Sequence, residues 1–194
     1  MKTMSALGRY ALAATLMLTA AVAADTSKNP PAPQTPALTD TDAAIAKAVR
    51  HEVLTYPYYS IWDDVSMRIQ NGQVQLLGAV SQPFKKHDIE NMVKRVKGVE
   101  AVDDQLEVLP LSPNDDRLRL QVARAIYGDS AFTRYRFMAL PPIHIIVDNG
   151  HVKLTGVVLN DFEKQMAGMR ASAAGLSFGP VINDLQVENP SKKS

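Results

Sequence analysis

Four histidines and a complete absence of cysteine limit the chemistry open to this chain. Zinc needs three or four converging ligands, most often with thiolates among them. His144 and His151 fall on one face of one hairpin, and Asp148 faces His151 across its turn, but the two rings stand several residues apart. No metal site is expected. His51 and His87 have no nucleophile beside them, and there is no serine elbow, phosphate-cradling glycine loop or His-Glu helix motif. The adjacent acids Asp63-Asp64 and Asp103-Asp104 sit near strand ends, where turn chemistry accounts for them. The chain is read as non-enzymatic, no cofactor is expected, and what remains is binding.

Three sets of residues have binding chemistry. Arg117, Leu120, Arg124 and Tyr127, placed at 100° per residue, share the outward face of a helix. Guanidinium groups meet phosphate well, and interleaved apolar side chains enter a headgroup layer. Arg134, Tyr135, Arg136 and Phe137 in the following loop could extend that face. The second set is Tyr56-Pro57-Tyr58-Tyr59-Ser60-Ile61-Trp62. Tyrosine and tryptophan favour boundaries that are apolar at one end and wet at the other, so Tyr56, Tyr58, Tyr59 and Trp62 suit a membrane wedge or a partner-binding loop. The third is the basic group Lys85, Lys86, Lys94, Arg95 and Lys97, with Asp88 and Glu90 between them. Each set has a packing alternative. Leu120 and Tyr127 could pack against a neighbouring domain, Trp62 could anchor a core, and the lysines could be a solvated helix face.

The elements that carry these residues occur twice. Asn71-Gly72-Gln73-Val74-Gln75-Leu76-Leu77-Gly78-Ala79-Val80 returns as Asn149-Gly150-His151-Val152-Lys153-Leu154-Thr155-Gly156-Val157-Val158. Val102 to Val108 is echoed by Val181 to Val187. Each repeat opens with a helical stripe: Ile45, Val49 and Val53, then Leu118, Val122 and Ile126. Thr39 or Thr41 is the expected cap of the first helix, with Asp42 in its dipole-favoured first turn, and Asn114 the expected cap of the second. An Asn-Gly pair between alternating runs predicts a two-residue hairpin in each repeat. The register then sets Ile69 against Val74 and Val147 against Val152. Val65, Met67, Ile69, Val74 and Leu76 point inward in the first. Ile143, Ile145, Val147, Val152 and Leu154 do so in the second, leaving His144, Ile146 and Thr155 on the outer face.

A second helix follows each hairpin. Ser81 and Pro83 open the first, whose stripe is Ile89, Met92, Val93 and Val96, with Gly98 at its end. Asn160 and Glu163 open the other at capping-box spacing, and its expected stripe is Phe162, Met166, Met169 and Ala173. A third strand closes each repeat. The expected fold class is α+β: two tandem small αββαβ domains, residues 39–109 and 114–188, each a three-stranded sheet covered on one face by two helices. Each is near the lower size limit for a core without staples, so the two are expected to pack together.

Residues 1–24 read as an export signal: Lys2 and Arg9, an apolar run from Ala11 to Val22, and small residues near Ala23-Ala24. That run is short of the roughly 20 apolar residues of a membrane span. Residues 25–38, with Asn29-Pro30-Pro31-Ala32-Pro33-Gln34-Thr35-Pro36, read as a linker, and 189–194 as a disordered tail. Without cysteine there is no lipid-modified anchor and no disulfide. The formal charge of +1 excludes a strongly basic nucleic-acid binder by bulk charge. The expectation is a soluble, exported, periplasmic protein.

The order of elements, the Asn-Gly hairpins with downstream glycines (Gly78, Gly156) and the closing Val-x-x-x-Leu-x-Val strands resemble the BON domain (bacterial OsmY and nodulation). Two copies behind an export signal are similar to the osmotically inducible OsmY-type proteins. The resemblance implies a non-enzymatic module at an anionic phospholipid membrane or cell envelope, with a role in osmotic or envelope stress. It brings no catalytic residues. The region from Tyr127 to Pro142 departs from it, being longer than its counterpart in the first repeat. A periplasmic adaptor that contacts an envelope protein through the aromatic loops is the alternative, and nucleic acid is not an expected partner.

Overall fold

The two Asn-Gly pairs turn as expected. Asn71 and Gly72 have φ of 51° and 76°, Asn149 and Gly150 of 48° and 79°, the left-handed values a two-residue hairpin turn requires. The pairing puts Ile69 opposite Val74 and Val147 opposite Val152. The computed structural model describes residues 40–175 and 177–188. The expected export signal (1–24), the linker (25–38), Thr39 and the tail (189–194) lie outside the described residues.

The first repeat runs α1 (Asp40–Thr55), β1 (Asp64–Gln70), β2 (Gln73–Val80), α2 (Pro83–Lys94), β3 (Ala101–Val108). β2 is central, antiparallel to β1 and parallel to β3. The second runs α3 (Pro113–Tyr127), a 3-10 turn (Ser130–Phe132), α4 (Thr133–Arg136), β4 (Ile143–Asp148), β5 (His151–Val158), α5 (Asp161–Ala173), β6 (Ile182–Asn183), β7 (Gln186–Val187). The α+β class is therefore as expected. The closing strand of the second repeat is cut in two, both pieces parallel to β5. At the break the Asn183 side chain accepts from Leu185 N–H and donates to the Lys164 carbonyl, while Asp184 N–H still donates to the Leu154 carbonyl of β5.

The stripes on α1 and α3 are buried as read. Val49, Leu76, Ile89 and Leu106 centre one core, and Val122, Ile126, Ile145 and Leu154 the other. Each such side chain contributes about 1.5–3 kcal/mol on leaving water.

Asp42 does more than suit a helix dipole. It is buried, and its carboxylate accepts from Asn71 N–H (3.1 Å) and Gly72 N–H (2.9 Å). Asp115 repeats this in the second repeat, accepting from Asn149 N–H (3.1 Å) and Gly150 N–H (2.8 Å). Each opening helix thus holds its own hairpin turn by one carboxylate.

Four expectations are corrected. The cap of α3 is Ser112, whose side chain accepts from Asp115 N–H, because Pro113 takes the first helical position ahead of Asn114. Gln82 rather than Ser81 stands at the α2 N-cap and makes no side-chain capping bond, since the Ser81 hydroxyl is bound to Asp63. The Asn160 cap holds, but the buried face of α5 is Glu163, Ala167 and Ala171, while Phe162, Met169 and Ala173 are exposed. The Glu163 carboxylate, fixed by Tyr135 and Leu159 N–H, sets the rotation of the helix, and two alanines let it lie close on α3.

The fourth correction concerns the outer face of the second sheet. His144, Ile146 and Thr155 are buried there, not solvated. The first repeat covers them, the described residues of both repeats falling in one compact unit. Ile146 packs with Ala79 and Leu109. The β4 edge bonds to the Ser60–Asp63 loop, with Ile145 N–H donating to the Ile61 carbonyl (2.7 Å) and His144 Nδ1 donating to the Asp63 carbonyl.

Candidate functional site

The α3 sequence places a buried apolar stripe on one side and Arg117, Leu120 and Arg124 on the other. The structure keeps these three exposed. Neither Arg117 nor Arg124 has a hydrogen-bond or ion-pair partner among the described residues. They stand one turn either side of Leu120, so two free guanidinium groups flank an apolar side chain.

Tyr127, expected on the same face, turns inward. It packs on the second core and its hydroxyl donates to the Ile143 carbonyl, and burial holds its pKa above the usual phenol range. The loop residues are also engaged. Arg134 pairs with buried Glu163 and lies 5.4 Å from the centre of the Tyr135 ring. Tyr135 donates to the other Glu163 oxygen (2.6 Å), and its own pKa is raised, first by burial and then by that carboxylate. Arg136 Nε donates to the Tyr127 carbonyl (2.9 Å) and closes the end of α3. Phe137 remains 79 % exposed.

The aromatic loop divides in the same way. Tyr56 is buried and donates to Asp88 (2.5 Å); burial, then Asp88, raises its pKa. Tyr59 packs on the first core and meets the His144 ring, and burial raises its pKa too. Trp62 packs against the second core, although it belongs to the first repeat. Tyr58 alone faces outward, 61 % exposed, edge-on to exposed Phe84 at 5.6 Å. The basic set is scattered: Lys85 is buried, Lys86 donates to the Leu106 carbonyl, Lys94 pairs with Glu90, and Arg95 and Lys97 are exposed.

Two features were not read from sequence. Asp63 is fully buried and accepts from Ser60, Ser81 and Lys85, the last at 2.7 Å. This cluster fixes the loop whose carbonyls hold the second repeat. Arg119, on the inward side of α3, donates to the Val147 carbonyl (2.7 Å) and pairs with Asp116. An arginine among apolar stripe residues was the available signal. Between the repeats, Trp62, Ser81, Gln82, Leu111, Asp116, Arg119 and Leu120 line a groove of about 330 Å³. The groove joins the exposed α3 face to the start of α2, where Phe84 and Tyr58 stand. Among the described residues no group of three or more acids and histidines could hold a metal ion, and no helix is long and apolar enough to cross a membrane.

The BON domain family model matches twice, at residues 41–110 and 114–189. No curated protein matches the chain. Among solved structures it is similar to the C-terminal domain of CdsD, the structural protein of the type III secretion system of Chlamydia trachomatis, at 15% identity over 73% of this chain and 63% of that one, with a TM-score of 0.30. A second CdsD structure is similar at 17% identity over 77% of this chain and 94% of that one, with a TM-score of 0.27. The alignment spans less than two thirds of the first of these.

Proposed function

Because this chain belongs to the BON-domain family, which is associated with envelope and osmotic-stress proteins and is generally non-enzymatic, we propose that it is exported and binds the anionic phospholipid surface of the cell envelope peripherally, in support of the envelope under osmotic stress. One observation carries the reading: Arg117 and Arg124 lie exposed and unpaired on either side of Leu120. An unpaired surface arginine near an anionic leaflet is worth about 1 kcal/mol. Family membership adds coarse support, since BON domains bind phospholipid membranes. Arg134 and Arg136 on α4 and Phe137 at its end would border the same surface.

Co-sedimentation with phosphatidylglycerol vesicles at low salt tests this. Binding should weaken as salt rises. Arg117→Glu with Arg124→Glu removes at least about 2 kcal/mol of attraction, roughly a thirtyfold loss, with the fold intact because both residues are exposed. A protein that ignores anionic vesicles at low salt ends the lipid reading.

A second reading has its own observation. The exposed Tyr58–Phe84 pair is an uncharged aromatic patch suited to an envelope protein. A pull-down from envelope extract that survives the double arginine variant but is lost in Tyr58→Ala would favour an adaptor.

A further inference from the structure

We infer that the joint between the two repeats recurs between molecules: the second repeat of one copy docks on the open β1 edge of the next, so the chain self-associates head to tail. The inference concerns the edges of the two sheets and does not rest on the lipid reading.

Gln70 pairs with Gln73 across the first turn, and Asp148 with His151 across the second. Backbone groups alternate in direction along a strand. The N–H and C=O of Val65, Met67 and Ile69 therefore point away from β2, and those of Ile143, Ile145 and Val147 away from β5. In β4 each of these outward residues is engaged. Tyr127 donates to the Ile143 carbonyl, Ile145 N–H donates to the Ile61 carbonyl, and Arg119 donates to the Val147 carbonyl. The matching donors are missing from the first repeat. Counting from the equivalent acids Asp42 and Asp115, α1 carries Ala46 in the place of Arg119 and Leu54 in the place of Tyr127. Val65 is bonded to the Tyr59 hydroxyl. Among the described residues, nothing bonds the outward groups of Met67 or Ile69. An uncovered strand edge is a template for another chain.

The occupant is a second copy, because the surface that covers β4 is present again on the second repeat and stands open. Within the chain the cover is the Ser60–Asp63 segment with Ala79 and Leu109, which meet Ile146. Leu109 N–H donates to the Val80 carbonyl and Glu188 N–H to the Val158 carbonyl, both at 2.9 Å, so Glu188 holds the place of Leu109. By the hairpin registers, Val157 holds the place of Ala79 and Arg68 that of Ile146. Val157 is exposed, as are Phe137 and Met138 in the longer segment leading into β4. Arg68 and Glu188 are exposed too, and neither has an ion-pair partner among the described residues. Carried to a neighbouring molecule, the joint sets the apolar segment beside the open edge and Glu188 against Arg68. The apolar contact of Ile146 with Leu109 becomes a pair of opposite charges between chains. Each copy keeps one open edge and one uncovered docking surface, which is a heterologous interface that extends or closes into a ring.

Analytical ultracentrifugation of the full-length chain over a range of concentrations reads this directly. At low salt the average mass should rise past that of a dimer, and high salt should lower it, since the charge pair lies at the surface. Met67 N–H should exchange with solvent more slowly in the concentrated than in the dilute protein. Arg68→Glu and Glu188→Arg each set like charges face to face and should each weaken association at least about tenfold, with the fold intact because both residues are exposed. An equimolar mixture of the two variants has opposite charges at every mixed junction and should associate as the parent does. A parent that stays monomeric leaves the β1 edge to some other partner and overturns the inference. Association that stops at a dimer, or variants that do not recover on mixing, overturns it as well. Arg117→Glu with Arg124→Glu should leave self-association unchanged, so the lipid reading and this one fail separately.

Discussion

Asp115 is an acid that a sequence reader assigns to the first turn of a helix and the structure assigns to a hairpin 34 residues away. Both Asn149 N–H and Gly150 N–H depend on it. Charge-assisted bonds of this kind are worth about 1.5–3 kcal/mol each, with the turn N–H groups left unpaired if the acid is lost. Asp115→Ala should therefore lower stability by about 2–4 kcal/mol, read as the urea midpoint, with Asp115→Asn less costly because one amide oxygen can still accept. A loss below 0.5 kcal/mol would mean the turn holds itself. Local polarity misled the reading here. An acid near a helix start satisfies a dipole rule whatever else it binds, so nothing in the sequence marks the longer-range bond. Tyr56, Tyr59 and Tyr127 were hidden for the same kind of reason: an aromatic with a hydroxyl suits a wet boundary and a buried hydrogen bond equally well. Arg117, Leu120 and Arg124 were legible because helical spacing alone separates them from Leu118, Val122 and Ile126.

At the level of elements, periodicity gave both hairpin registers and the buried stripes of α1 and α3, because Asn-Gly turns and four-residue steps leave little freedom. It failed on α5. Hydrophobicity there favours the Phe162-Met166-Met169 side, yet the helix buries Glu163, Ala167 and Ala171. A polar anchor and two small residues leave Phe162 and Met169 exposed, while Met166 still packs partly against the core, since close approach of α5 to α3 needs alanine at the contact. The prediction is specific. Ala171→Leu should cost about 1–3 kcal/mol by overpacking, and Met169→Gln on the opposite face less than about 0.5 kcal/mol, both measured by thermal unfolding. The reverse order would return the helix to the rotation its hydrophobicity suggests.

Over the whole molecule, the two repeats share a joint. Trp62 from the first enters the packing of the second, the Ser60–Asp63 loop bonds to β4, and Ile146 meets Ala79 and Leu109. Packing together was expected from the small size of each unit; which surfaces meet was not, because alternation marks His144 and Ile146 as outward and cannot say that another sheet lies there. If the joint couples the repeats, calorimetry should show one unfolding transition in the parent and two in Ile146→Asp, which buries a charge between them. One unchanged transition in that variant would count against coupling. The ion pairs at the start of α2 and α5, the first buried and the second half-exposed at its arginine, run in opposite senses. In the first repeat the helix carries the cation, Lys85, and the preceding segment the acid, Asp63; in the second α5 carries Glu163 and the short α4 carries Arg134. Were one repeat's helix to dock on the other's loop during folding, Lys85 would confront Arg134, or Glu163 would confront Asp63. The inverted polarity thus penalises exchange between twins, so two nearly interchangeable halves in one polypeptide, or in neighbouring ones, are steered to their own partners.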